Sequence, residues 1–301
     1  MKKLLLVYNP HSGKGEFNRS LSKVLCVFTN AGYDCTVHPT AKSGDGYNYI
    51  VNNGGEFDMI VFSGGDGMLH ELVCGMTASG NTKPCGYIPS GTVNDFASSL
   101  GISKVPVEAA KTIVGGSCEN IDVGCFNDSY FAYIAAFGIF TNVSYTTSQR
   151  SKKALGATAY LFEALKGINL KNLYDSSVHA VVSWDGHSVE DDFIFGMTGN
   201  THSVAGLKNI VPVGAEMNDG LLDGMFIRTP KTIPELEQIQ FALLKQKHDI
   251  PNILCVRSNR FEVRAGADVP WTLDGEFGGE LAKAEISAKH RSIKIVVPNR
   301  G

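Results

Sequence analysis

Short strand-like segments alternate with helix-length segments along the first third of the chain. The strands are predicted at Leu4–Tyr8, Asp34–His38, Met59–Ser63 and Cys85–Ile88. The helices that follow them are predicted at Phe17–Ala31, Gly46–Asn53, Leu69–Met76 and Asp95–Leu100. Short runs bounded by glycine suit strands that are buried on both faces, so this rhythm indicates a parallel sheet with right-handed crossovers.

Beyond about residue 118 the pattern changes to strands with few intervening helices. The predicted strands are Ser129–Ala136, Ser177–Trp184, Asp192–Met197, Leu222–Arg228, Phe261–Ala265, Trp271–Leu273 and Ser292–Val297. Two helices interrupt them, Lys152–Lys166 and Ile233–Lys247, and the second begins with Pro234 after a Thr232 cap. An Asp185-Gly186 pair is predicted to form a turn.

These patterns predict two domains of different class. An α/β domain with a parallel sheet is expected over residues 1–120, and a mainly antiparallel, β-rich and β-sandwich-like domain over residues 121–290. The tail, about residues 290–301, is left free to return to the first domain. A length of 301 residues agrees with two domains at roughly 150 residues each.

Composition and charge exclude several classes of protein. Hydrophobic residues make up 43% and charged residues 19%, which is ordinary globular usage and excludes disorder, coiled coils and collagen-like repeats. The formal net charge of −3 excludes a basic nucleic-acid footprint. The seven cysteines form no CxxC pair, which favours core thiols in a reducing cytoplasm. No apolar run is long enough to cross a bilayer, so we expect any membrane contact to be peripheral.

Polar, glycine-rich loops follow the first, third and fourth predicted strands, at Asn9–Gly15, Ser63–Gly67 and Pro89–Asp95. Each loop alone is also explained as a tight turn with a helix cap. Because the carboxyl ends of parallel strands meet at one edge of a sheet, we expect the three loops to converge. Glycine amides and helix N-termini favour anions, so the convergence predicts a phosphate site. Asp66 would orient the ligand or hold Mg²⁺ there.

The second half of the chain carries acidic turn motifs. Glu216, Asp219 and Asp223 belong to one, and Asp274 and Glu276 belong to another. Each is also explained as a hairpin turn. Carboxylates are, however, the ligands that Mg²⁺ prefers, and a hydroxyl that accepts a phosphoryl group needs a carboxylate to take its proton.

The motifs occur in a characteristic order: Asn9-Pro-His-Ser-Gly-Lys, Gly64-Gly-Asp-Gly, Gly91-Thr-Val-Asn-Asp-Phe-Ala, Ile121-Asp-Val-Gly, Asn218-Asp-Gly and Leu273-Asp-Gly-Glu. Together they resemble the diacylglycerol kinase catalytic-domain family, particularly its soluble bacterial lipid kinases related to sphingosine kinases. The resemblance implies a nucleotide-binding α/β domain followed by a β-rich domain.

The resemblance also implies where ATP binds. The implied nucleotide contacts are Asn9, Pro10, His11, Ser12, Gly13, Lys14, Thr40, Gly64, Gly65, Asp66, Gly67, Met68, Leu69, His70, Glu71 and Thr92. The sequence departs from the family at Met68, where Thr is usual. This removes a hydroxyl donor, and a hydrogen bond to a charged group is worth roughly 1.5–3 kcal/mol.

Catalytic and metal roles follow from the same resemblance. Glu276 looks like the family's general base, and Asp122 would lie near the phosphates. The side chain of Asp219, with backbone oxygens of Glu216 and Leu221, would hold one Mg²⁺. A second Mg²⁺ would accompany the nucleotide.

The expected activity is transfer of the γ-phosphoryl group of ATP to a lipid hydroxyl, with diacylglycerol giving phosphatidic acid. Two alternatives stay open: an NAD kinase-like enzyme, which also uses a GGDG loop, and a catalytically weak regulator that binds nucleotide or lipid. The expected location is the cytoplasm, with transient association to the inner membrane surface. The expected partners include a lipid and no nucleic acid, and a homodimer is left open.

Overall fold

The computed structural model of the chain describes residues 1–13, 15–91, 94–139, 170–200, 203–204, 207–208 and 216–299. Lys14, Thr92 and the predicted helix Lys152–Lys166 lie outside the described residues. The chain forms two compact units. Unit 1 comprises Met1–Val123 and His290–Gly301, and unit 2 comprises Gly124–Lys289.

The strands of unit 1 run parallel. They are β1 (Lys2–Tyr8), β2 (Tyr33–Pro39), β3 (Met59–Gly64) and β4 (Cys85–Pro89). Strand β1 pairs with β2 and with β3, and β3 pairs with β4. Every residue of β3 and β4 is buried, as expected of strands covered on both faces.

Helices follow each of these strands. They are α1 (Glu16–Asn30), α2 (Asp45–Asn53), α3 (Asp66–Ala78), α4 (Asp95–Ser99) and α5 (Pro106–Gly115), with a 3₁₀ turn at Gly54–Glu56. The first four agree with the predicted helices to within about three residues at each end. Helix α5 was not predicted, although Pro106 at its first position is a usual start signal.

Unit 2 is built mainly of antiparallel strands. The chain enters it through β5 (Ser117–Phe126) and continues through β6 (Ser129–Phe131), β7 (Ile134–Gly138), β8 (Val178–Trp184), β9 (His187–Gly199), β10 (Ser203–Val204), β11 (Leu207–Lys208), β12 (Leu222–Arg228), β13 (Ile253–Ser258), β14 (Arg260–Leu273) and β15 (Glu276–Val297). Its described helices are α6 (Leu170–Asp175) and α7 (Ile233–Lys245). The end of β15 belongs to unit 1, where Ile295 pairs with Cys85 of β4 in parallel.

Strands β9 and β14 each change partner along their length. Strand β9 pairs with β8 over its first part and with β7 and β12 over its second. Strand β14 pairs with β8 and then with β7, and it pairs with β15 over Arg260–Arg264 and again over Val269–Leu273. These strands share one core, in which Phe126 and Phe137 lie with ring centroids 4.9 Å from that of Trp271.

Four of the strands predicted beyond residue 118 need correction. The predicted strand Ser129–Ala136 is wrong as a continuous element, because it is interrupted between β6 and β7. The predicted strands Phe261–Ala265 and Trp271–Leu273 are one strand, β14, whose pairing with β15 shifts register between Arg264 and Val269. The predicted strand Ser292–Val297 is only the end of β15, which starts at Glu276.

Helix α7 begins as the sequence predicts. The hydroxyl oxygen of Thr232 accepts a hydrogen bond from the amide of Glu235 at 3.4 Å, and a proline lies in the first turn. Across the described ranges of the chain, no helix combines the length and apolar character needed to cross a membrane.

Candidate functional site

In unit 1, the loop after β1 lies directly against the loop after β4. The side-chain oxygen of Asn9 accepts a hydrogen bond from the amide of His11 at 2.8 Å, which tightens the first loop. Gly13 has a φ of +60°, and a Cβ at this position would lie 2.1 Å from the carbonyl oxygen of Ser90. A side chain at Gly13 is therefore excluded both by backbone strain and by contact between the loops.

The loop after β3 is joined to the same loop after β4. The amide of Ser90 donates to the carbonyl of Gly64 at 2.9 Å, and the Ser63 and Ser90 hydroxyls lie 3.2 Å apart. A Cβ at Gly91 would lie 2.4 Å from the Cα of Gly65, so the two backbones touch. The three loops that the sequence predicts to converge are thus in contact.

Asn94 holds the loop after β4 in shape. Its side-chain oxygen accepts from the amide of Gly91 at 3.0 Å and from the Tyr87 hydroxyl at 3.1 Å, while its nitrogen donates to the Gly91 carbonyl at 2.9 Å. Asn94 is 2% exposed, with a φ of +56° that asparagine tolerates better than most residues. This role goes beyond the helix cap that the loop sequence predicts.

Helix α3 begins inside this loop cluster, at Asp66. Its N-cap is Gly65, and no side chain of the described residues caps it. The first amides of a helix lack intrahelical acceptors and carry a partial positive charge, which favours phosphate groups. Crowded glycines beside a helix start are therefore chemically suited to the phosphates of a nucleotide.

Other residues of α3 face the interior of unit 1. Met68 is 6% exposed and Leu69 is fully buried, so both belong to the core. The carboxylate of Glu71 accepts hydrogen bonds from the amides of Gly44 at 2.8 Å and Tyr47 at 3.3 Å, which caps α2. This carboxylate is engaged in positioning a helix, a role that the sequence alone did not indicate.

Two further predicted nucleotide contacts have defined partners. The Thr40 hydroxyl donates to the Tyr8 carbonyl at 3.4 Å, and Thr40 is 6% exposed. A ring nitrogen of His70 lies 3.7 Å from the sulfur of Cys74 on the next turn of α3. Thr40 therefore follows β2 and contacts the last residue of β1, where the first loop begins, whereas His70 lies one turn into α3.

Asp122, expected near the phosphates, is fully buried in unit 1. Its carboxylate accepts from the amide of Arg291 at 2.6 Å and lies 3.0 Å from Nδ1 of His290. Arg291 has a φ of +49°, so the carboxylate fixes an unusual backbone conformation where β15 returns to unit 1. A buried carboxylate with these partners anchors the returning tail.

In unit 2, Glu276 follows a two-residue hairpin turn. The central residues Asp274 and Gly275 have φ values of +53° and +89°, the signature of a type I′ turn, for which Asp-Gly is a preferred sequence. Leu273 pairs with Glu276 across the turn, and the Thr272 hydroxyl donates to the Glu276 carbonyl at 3.0 Å. The Glu276 side chain itself is exposed.

Asp274 is a structural residue that sequence reasoning missed. It is 3% exposed, and its carboxylate accepts from three consecutive amides: Ala132 at 2.6 Å, Tyr133 at 2.9 Å and Ile134 at 3.0 Å. These bonds account for the break between β6 and β7. They also fix the turn from which Glu276 emerges.

The predicted metal ligands lie in or before the turn that leads into β12. One oxygen of Asp219 accepts from the amide of Leu221 at 3.0 Å, and the other is paired with Nη2 of Arg257. Nε of Arg257 also lies 3.6 Å from a carboxylate oxygen of Asp223, and Glu216 is exposed. No group of three or more His, Cys, Asp or Glu side chains arranged to hold a metal occurs among the described residues. With one oxygen bonded to the Leu221 amide and the other paired with Arg257, the Asp219 side chain does not fit a Mg²⁺ ion as it stands.

Comparison with known proteins agrees with the motifs. The family model of the diacylglycerol kinase catalytic domain matches residues 3–126. The chain is 33% identical over 301 residues to the diacylglycerol kinase of Bacillus subtilis (strain 168), covering 99% of this chain and 97% of the relative. It is 30% identical over 300 residues to the diacylglycerol kinase of Staphylococcus aureus (strain MRSA252), covering 99% and 93%.

Solved structures share the fold. One from Bacillus anthracis str. Sterne superposes with a TM-score of 0.85 at 23% identity, covering 98% of this chain and 95% of that chain. A second from the same organism, described as a diacylglycerol kinase, has a TM-score of 0.82 at 22% identity, covering 98% and 97%. With a relative 33% identical over nearly its whole length, the chain belongs to the diacylglycerol kinase family.

Proposed function

We propose that this protein is a lipid kinase that transfers the γ-phosphoryl group of ATP to the hydroxyl of diacylglycerol, giving phosphatidic acid. The observation that carries the proposal is the contact of three glycine-rich loops at the start of α3, in a member of this family. Phosphoryl transfer asks a protein mainly for positioning and charge neutralisation. Closely packed loop backbones at a helix start supply the first and contribute to the second.

The nucleotide is proposed to place its phosphates against these loops. Gly13, Gly65 and Gly91 let the loop backbones pack closely together at the start of α3, and the partial positive charge of that helix end would act on the phosphates. Asp66, the first residue of α3, would repel a bare phosphate. A Mg²⁺ ion bound with the nucleotide would neutralise charge on the phosphates when present.

Glu276 is proposed as the general base. A lipid hydroxyl has a pKa near that of water, far above neutral pH, so it is not ionised before attack. Its oxygen forms the bond to the γ-phosphorus as the bond to the β-phosphate oxygen breaks, and its proton passes to the carboxylate. An exposed carboxylate held by a rigid hairpin suits this role.

The test is a kinase assay with γ-labelled ATP and a panel of lipids in mixed micelles. We expect labelled phosphatidic acid from diacylglycerol. Glu276→Gln should lower turnover about 10²–10⁴-fold while ATP binding persists. The matched control is Glu280→Gln, an exposed glutamate on the same strand, which should leave turnover unchanged.

Three results would contradict parts of the proposal. Labelled NADP, formed when NAD replaces lipid, would indicate the NAD kinase-like alternative. A thermal shift with ATP but no labelled lipid would indicate a regulator. Unchanged turnover in Glu276→Gln would remove that residue as the base.

Association with a membrane surface is a further part of the proposal, because diacylglycerol resides in bilayers. Co-sedimentation with vesicles that contain diacylglycerol tests it directly. Binding to those vesicles is expected, and a protein that stays in the supernatant while phosphorylating micellar lipid would contradict it.

A further inference from the structure

Arg257 in unit 2 joins two acidic residues of the turn that leads into β12. It lies directly opposite Asp223 in the antiparallel register of β12 and β13. Its Nη2 pairs with Asp219, and its Nε lies 3.6 Å from Asp223. The side chains of Arg257, Asp219 and Asp223 are 34%, 21% and 6% exposed, so the group is partly withdrawn from solvent.

The guanidinium contacts the carboxylate oxygens that a cation would need. A planar fork of donors can contact two carboxylates at once, and it keeps its charge at all accessible pH values. The second oxygen of Asp219 accepts from the amide of Leu221, across a turn in which Gly220 has a φ of +79°. The carboxylate is therefore fixed on one side by the turn and on the other by Arg257.

A Mg²⁺ ion at Asp219 would compete with this arrangement. Mg²⁺ requires oxygen ligands at about 2.0–2.1 Å in octahedral geometry. The Asp219 oxygen that faces away from the turn is the one paired with Arg257. A metal bound there would have to displace the guanidinium and would meet its positive charge at short range.

We infer that Arg257 supplies, at Asp219, the positive charge that the family resemblance assigns to Mg²⁺, so that this turn is held without a metal. The guanidinium is carried by β13 and paired with Asp223 on β12, so it is part of the fold rather than an exchangeable ligand. The inference does not depend on which lipid is phosphorylated.

The experiment measures thermal unfolding of the full chain without nucleotide, in EDTA and in millimolar Mg²⁺. Tryptophan fluorescence reports on unit 2 alone, because both tryptophans, Trp184 and Trp271, belong to it. We expect the wild-type Tm to be the same in EDTA and in Mg²⁺. Arg257→Met should lower the Tm in EDTA by about 2–4 °C, and Mg²⁺ should restore it, because a ligand that binds the folded state stabilises it.

Two further variants make the result specific. Adding Asp219→Asn to Arg257→Met should abolish the restoration by Mg²⁺. Arg260→Met removes an arginine of β14, the next strand along the chain, that pairs with Glu285, and this variant should show no response to Mg²⁺.

A rise of the wild-type Tm in Mg²⁺ that Asp219→Asn abolishes would overturn the inference. An Arg257→Met protein that folds but ignores Mg²⁺ would also overturn it. Should that variant fail to fold, water-proton relaxation with Mn²⁺ alone decides on folded proteins: wild type and Asp219→Asn should bind equally, and a site present only in wild type would refute the inference. None of these measurements involves turnover, so a failed kinase assay remains a separate result.

Discussion

Asp274→Asn should destabilise unit 2 far more than a change of one atom suggests. The carboxylate accepts three amide hydrogen bonds of 2.6, 2.9 and 3.0 Å in a site that is 3% exposed. Asparagine keeps the type I′ turn, since Asn-Gly and Asp-Gly both suit it. The substitution therefore tests the charge and its acceptor oxygens rather than the turn.

The magnitude follows from counting what is lost. Oδ1 accepts hydrogen bonds from the amides of Tyr133 and Ile134, so an asparagine oxygen can keep both, each weakened by about 1 kcal/mol because the charge is gone. The asparagine nitrogen would then face the amide of Ala132. Because both groups are donors, the hydrogen bond is lost, which costs about 1.5–3 kcal/mol. The expected total is about 3–5 kcal/mol, or a fall in Tm of roughly 6–20 °C.

The assay is thermal and urea unfolding followed by tryptophan fluorescence, which reports on unit 2. The matched control is Asp185→Asn, the same substitution in another turn with two positive φ values, where the aspartate is exposed and accepts only from the Ser258 hydroxyl in the described contacts. It should lower the Tm by no more than a few degrees. Equal unfolding of the two variants would refute the view that the three amides hold this turn.

Three further outcomes are expected. Gly91→Ala should abolish nucleotide binding, because its Cβ would lie 2.4 Å from backbone in the facing loop, whereas Gly115→Ala, with nothing within 4 Å, should leave the nucleotide-induced thermal shift intact. Burial raises the pKa of Cys255 to about 11. The native thiol should therefore react slowly with a disulfide reagent at pH 8, and the rate should rise about tenfold per pH unit until the pH reaches the pKa. A fast, pH-independent reaction would contradict this. A hydrogen bond to Asp192 raises the pKa of His179. Wild type should therefore be more stable to urea than His179→Gln, with the full difference below about pH 6.5 and no difference at pH values above the raised pKa. The opposite trend would contradict the assignment.

The pattern of apolar and polar residues is sufficient to predict a strand where the strand is buried evenly along its length. Strand β3 is buried at every residue, and the apolar run Met59–Ser63 predicts it with only its last residue missing. Strand β12 agrees with its prediction at both ends, Leu222 and Arg228. In both cases the strand is covered by its neighbours, so the apolar run between the flanking turns gives the bounds of the strand.

The same pattern does not predict the bounds of a strand that is only partly covered by its neighbours. Gly266, Ala267 and Asp268 separate two predicted strands, Phe261–Ala265 and Trp271–Leu273, yet β14 continues through them with a shift of register against β15. Strand β13 has a mixed burial pattern and was not predicted. Alternation of apolar and polar residues marks a strand only when one face is consistently covered, and neither segment meets that condition.

The two acidic turn motifs of unit 2 show why residue type and spacing could not assign roles. Both contain an Asp-Gly turn with a second acidic residue nearby. Asp274, however, accepts hydrogen bonds from amides 140 to 142 residues away in the chain, whereas Asp219 pairs with an arginine 38 residues away. Local sequence carries no record of either partner. A carboxylate whose oxygens are all engaged contributes to structure, because breaking its contacts leaves a partly buried charge uncompensated. An exposed one such as Glu276 retains the capacity to take a proton. In these two motifs the contacts therefore identify Asp274 and Asp219 as residues that hold the fold, and they leave Glu276 as the base that we propose.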